Sequence, residues 1–390
     1  MRLARVLTRL NLGGPARQVL ASDPLLMASG HELRVFTGAA EPGEGDLADE
    51  LRARGVDVRR VAGLGRAPAP WDDLRALAGL RRELRAFAPH IVHTHASKAG
   101  LLGRLAARAV PSARRVHTFH GHVLEGYFSP LVSRGLIAVE RRLARGTARI
   151  LAVSHATAED LLRLRVSDEK RLVVVPPGVD LAELLELPRP RVAGGGLRER
   201  LGLPENAVLA GLVGRLAPVK QPLLALAAFS RAAELASDLH LAFVGDGPEG
   251  AALERARRAL PDSLGARVHL IGSQADRRSV FGALDLVLLS SRSEGLPVCL
   301  IEGAAAGLPA VSLAVGGVAE VVAHERTGFL AETVAELGDG LLRLARAPEE
   351  RLTCGRRARV RVTRRHGAEA LAQRLTAVYD AVLEEESCAS

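Results

Sequence analysis

Two carboxylates and two cations carry the chemistry this sequence offers most plainly. Glu294 and Glu302, with seven residues between them, bracket the turn in Ser290-Ser-Arg-Ser-Glu-Gly-Leu-Pro-Val-Cys-Leu-Ile-Glu-Gly. The run Leu284 to Leu289, apolar but for Asp285, predicts a buried strand that opens through Gly295 onto a helix beginning near Pro297. One carboxylate then lies on the loop and the other inside the helix, two grips for a polyhydroxy ligand. Backbone N–H groups and the positive end of the helix between them would attract an anion. Upstream, Arg215 and Lys220 stand five residues apart on a strand-to-helix loop. That spacing would let a guanidinium and an ammonium clamp a diphosphate leaving group and neutralise charge as its bond breaks. The plainer alternatives are a surface acidic pair and two solvated cations. Lysine occurs only at Lys98, Lys170 and Lys220 in a chain that otherwise uses arginine, so Lys220 is not a compositional default.

No Asp-x-Asp pair accompanies these groups. A transferase that stabilises its leaving group through a divalent metal needs such carboxylates, so the expectation is metal-independent chemistry with no metal and no cofactor.

Histidines form the second concentration. Five of the twelve, His93, His95, His117, His120 and His122, fall at the ends of two adjacent strands. Strand alternation puts His93 and His95 on one face. Metal ligands, packed histidines without a role, and imidazoles lining a sugar or acceptor pocket are the three competing readings. Two glycine turns complete the set. Gly13-Gly14-Pro15 follows the first strand. Gly245-Asp246-Gly247-Pro-Glu-Gly250 matches Gly-x-Gly-x-x-Gly, but the next strand ends in Gly272-Ser-Gln and not in the acidic residue that would hold an NAD ribose.

The elements that must position these residues alternate strand and helix, as a parallel α/β sheet demands. Strands are expected near 2–8, 31–37, 56–61, 91–95, 115–119, 150–154 and 172–175, and again near 208–214, 240–244, 268–271, 284–289 and 310–313. In such sheets ligands sit beyond the carboxyl ends of the strands, which makes the loops after each strand the places to search for chemistry. The periodicity stops at Val175-Pro-Pro-Gly, and Glu183 to Glu199 reads as an interdomain linker without a confident element. A length of 390 residues also suggests two domains. Three cysteines without ligand-like spacing point to a reducing compartment. The strand-like N-terminus and the lack of a long apolar run make cytoplasmic the default. Of the net charge of +9, residues 1–172 hold 28 basic against 17 acidic groups, so the excess lies in the first half. Anionic lipid or a phosphorylated acceptor would suit it, and a plain solvated surface accounts for it as well. Nucleic acid would not, because no binding motif goes with the charge. The helical pattern of Pro130 to Arg145, apolar on one side and arginine-bearing on the other, fits a sheet or an anionic membrane face.

Glu-x7-Glu followed by a small-residue helix and Gly307-Leu-Pro resembles the nucleotide-sugar site of retaining glycosyltransferases of the GT-B fold. Thr118-Phe-His-Gly-His-Val-Leu-Glu-Gly-Tyr-Phe128 resembles the acceptor-side loop of their family 4. Pro177-Gly-Val-Asp180 departs mildly from the family's Asn-Gly-Val-Asp. The resemblance implies an α/β chain of two Rossmann-like domains facing each other across a cleft. Residues 1–178 would bind the acceptor and 179–367 the nucleotide sugar, while 368–390 would form a helix crossing back to the first domain. It further implies that Arg215 and Lys220 hold the diphosphate, Glu302 the ribose and Glu294 the sugar. Gly245, Asp246, Gly247 and Gly272 would lie by the base. Backbone from Gly295 through Leu296 and Pro297 to Val298 would orient the sugar, with Gly13 and Gly14 over the phosphates. His120 would border the reacting carbon, and His95, His122 and Tyr127 would face the acceptor. The function implied is transfer of a hexose or N-acetylhexosamine, UDP-linked in most of the family, to a lipid-linked saccharide or small hydroxylated acceptor. Peripheral contact with an anionic membrane through the basic first domain goes with it. A nucleotide-sugar epimerase and a non-catalytic nucleotide-sugar binder are the other classes left open.

Overall fold

The computed structural model describes residues 1–41, 45–121, 124–125, 128–189 and 196–387. They divide into two compact units, Met1–Val179 with the C-terminal segment from His366, and Asp180–Arg365.

In the first unit, seven strands among the described residues form one parallel sheet. They are β1 (Arg2–Leu7), β2 (Glu32–Thr37), β3 (Asp57–Arg60), β4 (Ile91–His95), β5 (Arg114–Phe119), β6 (Arg149–Ala152) and β7 (Leu172–Val174), in the order β3-β2-β1-β4-β5-β6-β7. Helices cover both faces, so the central strands are apolar on both sides. In β1, Leu3 and Leu7 pack with Val19 of the helix Gly14–Ala28, while Ala4 and Val6 pack with Leu80 and Leu84 of the helix Pro70–Phe87. Proline in the first turn starts these two helices and also Pro130–Ala144, where its fixed φ fits and its missing N–H is no loss. The last helix, Ala368–Ser387, belongs to this unit and lays Leu371, Leu375, Val378 and Tyr379 into the same core as β1. The strand and helix alternation is as the apolar pattern predicts, with ends shifted by one or two residues.

The second unit carries β8 (Val208–Val213), β9 (Leu239–Val244), β10 (Val268–Gly272), β11 (Leu286–Leu289), β12 (Ala310–Leu313) and β13 (Gly328–Ala331). Their order is β10-β9-β8-β11-β12-β13, again all parallel. The sequence reading ends at the fifth of these strands. The four-residue β13 is an edge strand that begins at Gly328, so no apolar run marks its start. Asp285, the one charge in the apolar run, precedes β11 and accepts from Arg198 Nη1 at 3.0 Å and from the Leu209 amide at 2.8 Å. It therefore locks β11 beside β8.

The stretch expected as a linker is a correction in part. Its described residues fold onto the second unit, where Leu184 and Leu197 are buried in one-turn helices. Arg189 donates to the carbonyls of Phe281, Leu284 and Ala306. Prolines and arginines in that stretch suit a segment pinned by backbone carbonyls, which leaves no apolar period to read.

In each sheet the strand order reverses at one place, between β1 and β4 and between β8 and β11. Loops leave such a pair of strands in opposite directions and open a crevice at their carboxyl ends.

Candidate active site

The β8/β11 crevice gathers the charged residues. After β8 the chain runs through Arg215 into a single 3-10 turn, Pro218–Lys220, and reverses at Gln221 in the left-handed region (φ 47°). Two links tie this loop to the end of β11. The Ser290 hydroxyl donates to the Lys220 carbonyl at 2.8 Å, and the Arg292 amide donates to Val219 O at 2.8 Å. They bring the Lys220 ammonium to Glu294 Oε1 at 2.5 Å. Glu294 is held from behind, since its carbonyl lies where a side chain at Gly316 would be (1.9 Å from an added Cβ, φ 50°).

Glu302 projects from the helix Val298–Ala305 and is buried, with Arg277 Nη1 donating to its Oε1 at 3.1 Å. The N-cap of this helix is Pro297, whose side chain has no acceptor to offer the first-turn N–H groups. Gly295, Leu296 and Pro297 are buried and Val298 is half-buried. Cys299 sits among the charges. Burial pushes its thiol up to about 12, with Lys220 opposing the rise and Glu294 and Glu302 adding to it.

The glycine turn after β9 packs under the Arg215 loop. Gly245 (φ 142°) has no room for a side chain, because a Cβ would stand 2.1 Å from Gly214 O. Gly247 lies as close to Leu216 O. Asp246 binds neighbouring loops together, its carboxylate accepting from the Ser273 amide at 2.8 Å and its carbonyl from the Leu216 amide at 2.9 Å. Gly272 O accepts from the Gly245 amide at 2.9 Å. Arg215, Lys220, Glu294, Glu302 and the glycine turn after β9 thus lie around one crevice.

The β1/β4 crevice gathers the histidines. Arg5, on β1, is fully buried against Asp23 of the helix Gly14–Ala28, with Nη2 to Oδ1 at 2.8 Å. It sits beside His93 in the β1–β4 register, and its Nη1 lies 2.6 Å from His93 Nδ1 and 3.4 Å from His95 Nε2. His93 and His95 share a face as alternation predicts, their rings stacked at 4.3 Å. His95 Nδ1 meets His120 Nε2 at 2.9 Å, and His120 Nδ1 lies 3.4 Å from Gln18 Nε2. Tyr379 of the last helix puts its hydroxyl 2.7 Å from His93 Nδ1. His117 points to the opposite face, toward Thr94 Oγ1 at 2.8 Å. Burial drives His93, His95 and His117 well below the usual imidazole range. It takes His120 down to about 3, with Arg5 adding to the fall. Ring nitrogens that meet arginine N–H groups and one another are occupied as hydrogen-bond partners, and that disfavours the metal reading. Gly13 caps the helix Gly14–Ala28 with an ordinary φ of −83°, its amide taken by Asn11 Oδ1 at 3.2 Å. Gly13 therefore contributes its small size and not its conformational freedom. His122 and Tyr127 lie outside the described residues.

Comparisons with known proteins bear on both units. Residues 12–183 match the model of Glycosyltransferase Family 4 and residues 196–361 that of Glycosyl transferases group 1. A galactosyltransferase of Escherichia coli, UDP-Gal:alpha-D-GlcNAc-diphosphoundecaprenol alpha-1,3-galactosyltransferase, is 30% identical over 339 residues, covering 85% of this chain and 84% of that one. The chain belongs to glycosyltransferase family 4. Within the family, a D-inositol 3-phosphate glycosyltransferase of Rhodococcus opacus is 32% identical over 342 residues, 82% of this chain and 74% of its own. The fold is GT-B. HepE of Anabaena, solved with UDP-glucose, superposes with a TM-score of 0.82 at 19% identity over 98% of this chain and all of that one. Sucrose-phosphate synthase of Thermosynechococcus elongatus gives 0.79 at 20% identity, over 98% of this chain and 99% of its own.

Sequence reasoning missed several residues that shape the site. Arg277 and Ser290 carry no signal beyond their neighbourhood. Arg5 has one, a charge at the centre of the apolar run from Leu3 to Leu7. Tyr379 has another, as one of only two tyrosines in the chain.

Proposed function

We propose that this glycosyltransferase moves a hexose or N-acetylhexosamine from UDP to a hydroxyl of a lipid-linked saccharide or small hydroxylated acceptor, with retention at the anomeric carbon. The observation that carries the reading is the Lys220–Glu294 pair at the β8/β11 crevice, with Glu302 beside it. Each cation and carboxylate there matches a need of the donor. Arg215 and Lys220 supply positive charge to the diphosphate as the C1–O bond breaks. Glu294 takes sugar hydroxyls and Glu302 the ribose. Until the donor arrives, Lys220 and Glu294 neutralise one another, so binding exchanges one ion pair for two sets of contacts. The acceptor oxygen bonds to C1 on the face that UDP leaves, and its proton passes to the departing phosphate oxygen. His120 and His95 border the sugar and the acceptor.

Two cations at the diphosphate make a divalent metal unnecessary, and turnover in excess EDTA is the expected result. The UDP-linked donors named for the Escherichia coli relative and in the Anabaena complex support the choice of nucleotide. The lipid-linked acceptor of that relative supports the acceptor class. Contact with an anionic membrane is part of the reading. The helix Pro130–Ala144 exposes Leu131 (78%) and Val132 (49%) near Arg134, an apolar edge beside a cation. No helix among the described residues is long and apolar enough to cross a membrane.

Thermal shift with UDP, GDP and ADP and their sugars tests the donor, because a ligand of the native state raises Tm. UDP and its sugars are expected to stabilise and the others not. Stabilisation by GDP or ADP alone would overturn the nucleotide assignment. Proton exchange at C2 of UDP-sugar without an acceptor would identify an epimerase instead.

A further inference from the structure

The buried chain Asp23–Arg5–His93/His95–His120 has a direction, and the direction fixes what His120 can do. A guanidinium only donates hydrogen bonds. His93 Nδ1, at 2.6 Å from Arg5 Nη1, must therefore accept, which leaves the His93 proton on Nε2, donating to Thr118 Oγ1 at 2.7 Å. His95 Nε2 faces the same Nη1 at 3.4 Å and also accepts, so its proton is on Nδ1. That N–H points at His120 Nε2 at 2.9 Å and makes it an acceptor in turn. The His120 proton is left on Nδ1, at the half-exposed end of the chain. Gln18 Nε2 stands 3.4 Å from that nitrogen and also only donates; of the two end groups the rigid guanidinium cannot invert, so the Gln18 amide must turn its oxygen toward the ring.

We propose that Arg5 is a positioning residue that sets these tautomers, so that His120 meets its ligand as a neutral imidazole offering Nδ1–H to a ligand oxygen. His120 is then a hydrogen-bond donor and not a base. The inference rests on the reading of His120 as a residue at the transferred sugar. Protonating His120 at Nε2 would set two N–H groups against each other at 2.9 Å. Turning His95 over to relieve that would aim its N–H at Arg5. The groups facing His120 agree with this arrangement. They are His95, His93, His117 and Arg5 from the strands and Gln18 from the first helix, with Asp23 and Tyr379 one step back, against Arg5 and His93. The one carboxylate among them, Asp23, is engaged with Arg5 at 2.8 Å.

The test is NMR of the full chain labelled with 15N-histidine, whose ring shifts report tautomer and protonation without substrate. His120→Asn identifies the His120 signals. In the wild type, His120 is expected as the Nδ1–H tautomer, with no titration between pH 5 and 8. Replacing Arg5 alone strands Asp23, so the paired variant Arg5→Met/Asp23→Asn is used. In it, the ring nitrogens of His95 and His120 are expected to shift toward a mixture of tautomers, because no Nη1 donor then fixes which nitrogen accepts. An Nε2–H tautomer in the wild type, or a His120 midpoint above pH 5, overturns the proposal, as does a paired variant with unchanged imidazole spectra. His120→Asn, which keeps an N–H donor, should retain about tenfold more kcat than His120→Ala, in line with a lost hydrogen bond to a reacting group. Failure of every UDP-sugar to turn over would sink the assigned function and leave the NMR result standing.

Discussion

Each sheet carries an ion pair at its crevice, and the two are buried to different degrees. Arg5 and Asp23 are 1% and 0% exposed, whereas Lys220 and Glu294 are 22% and 10% exposed. A fully buried pair cannot change partners without stranding a charge, so it belongs to the fold and orients what touches it. A pair that reaches water can open for a ligand at little expense. The same topological position therefore holds a fixed scaffold in one unit and an exchangeable contact in the other.

The sharpest way to break the contrast is Arg5→Met. Leaving Asp23 buried and unpaired should cost about 3–5 kcal/mol of stability in denaturant titrations. The paired variant with Asp23→Asn should recover most of it. A small effect for the single variant would mean the site is wetter than the burial of Arg5 implies. Next comes Lys220→Ala. Turnover should fall about 100-fold or more while the melting curve stays close to wild type, because the lost interaction is with the leaving group. An active variant, or one that unfolds, would contradict the role given to Lys220.

One side of this contrast was legible before the fold. Glu294, Glu302, Arg215 and Lys220 were found because strand-turn-helix punctuation is local, and their gathering follows from sheet order alone. The strands showed themselves by continuous apolar runs. What stayed hidden depends on distant partners. Nothing near Arg5 in the chain announces Asp23 one helix later or Tyr379 near the other end, and a two-residue alternation cannot say that His95 reaches His120. Net charge by halves also misled. The second half balances to nearly zero, yet Arg326, Arg356, Arg357, Arg361, Arg364 and Arg365 line one hollow of about 490 Å³.

The next consequence concerns pH. His93, His95 and His117 are neutral in the fold and have their pKa values held well below 6.5 by burial. Above 6.5 neither state binds these protons and stability is complete. Below it the unfolded chain binds them and the folded chain does not. Stability should fall by about 1.4 kcal/mol per pH unit for each such histidine. Calorimetry from pH 7.5 to 5 would show it as a falling Tm with proton uptake on unfolding. A flat profile would mean the imidazoles titrate in the fold. The smallest effect is expected for Glu294→Gln, which should change stability by only about 1 kcal/mol. A loss as large as that of Arg5→Met would erase the distinction between the two pairs.

The most direct measurement follows the anomeric proton by 1H NMR while the enzyme, in EDTA, works on a UDP-α-hexose and a lipid-linked saccharide. The account predicts UDP release matched by an α-linked product, and a rate roughly 100-fold lower with Lys220→Ala. A β-linked product, or turnover that starts only when a divalent metal is restored, would contradict it.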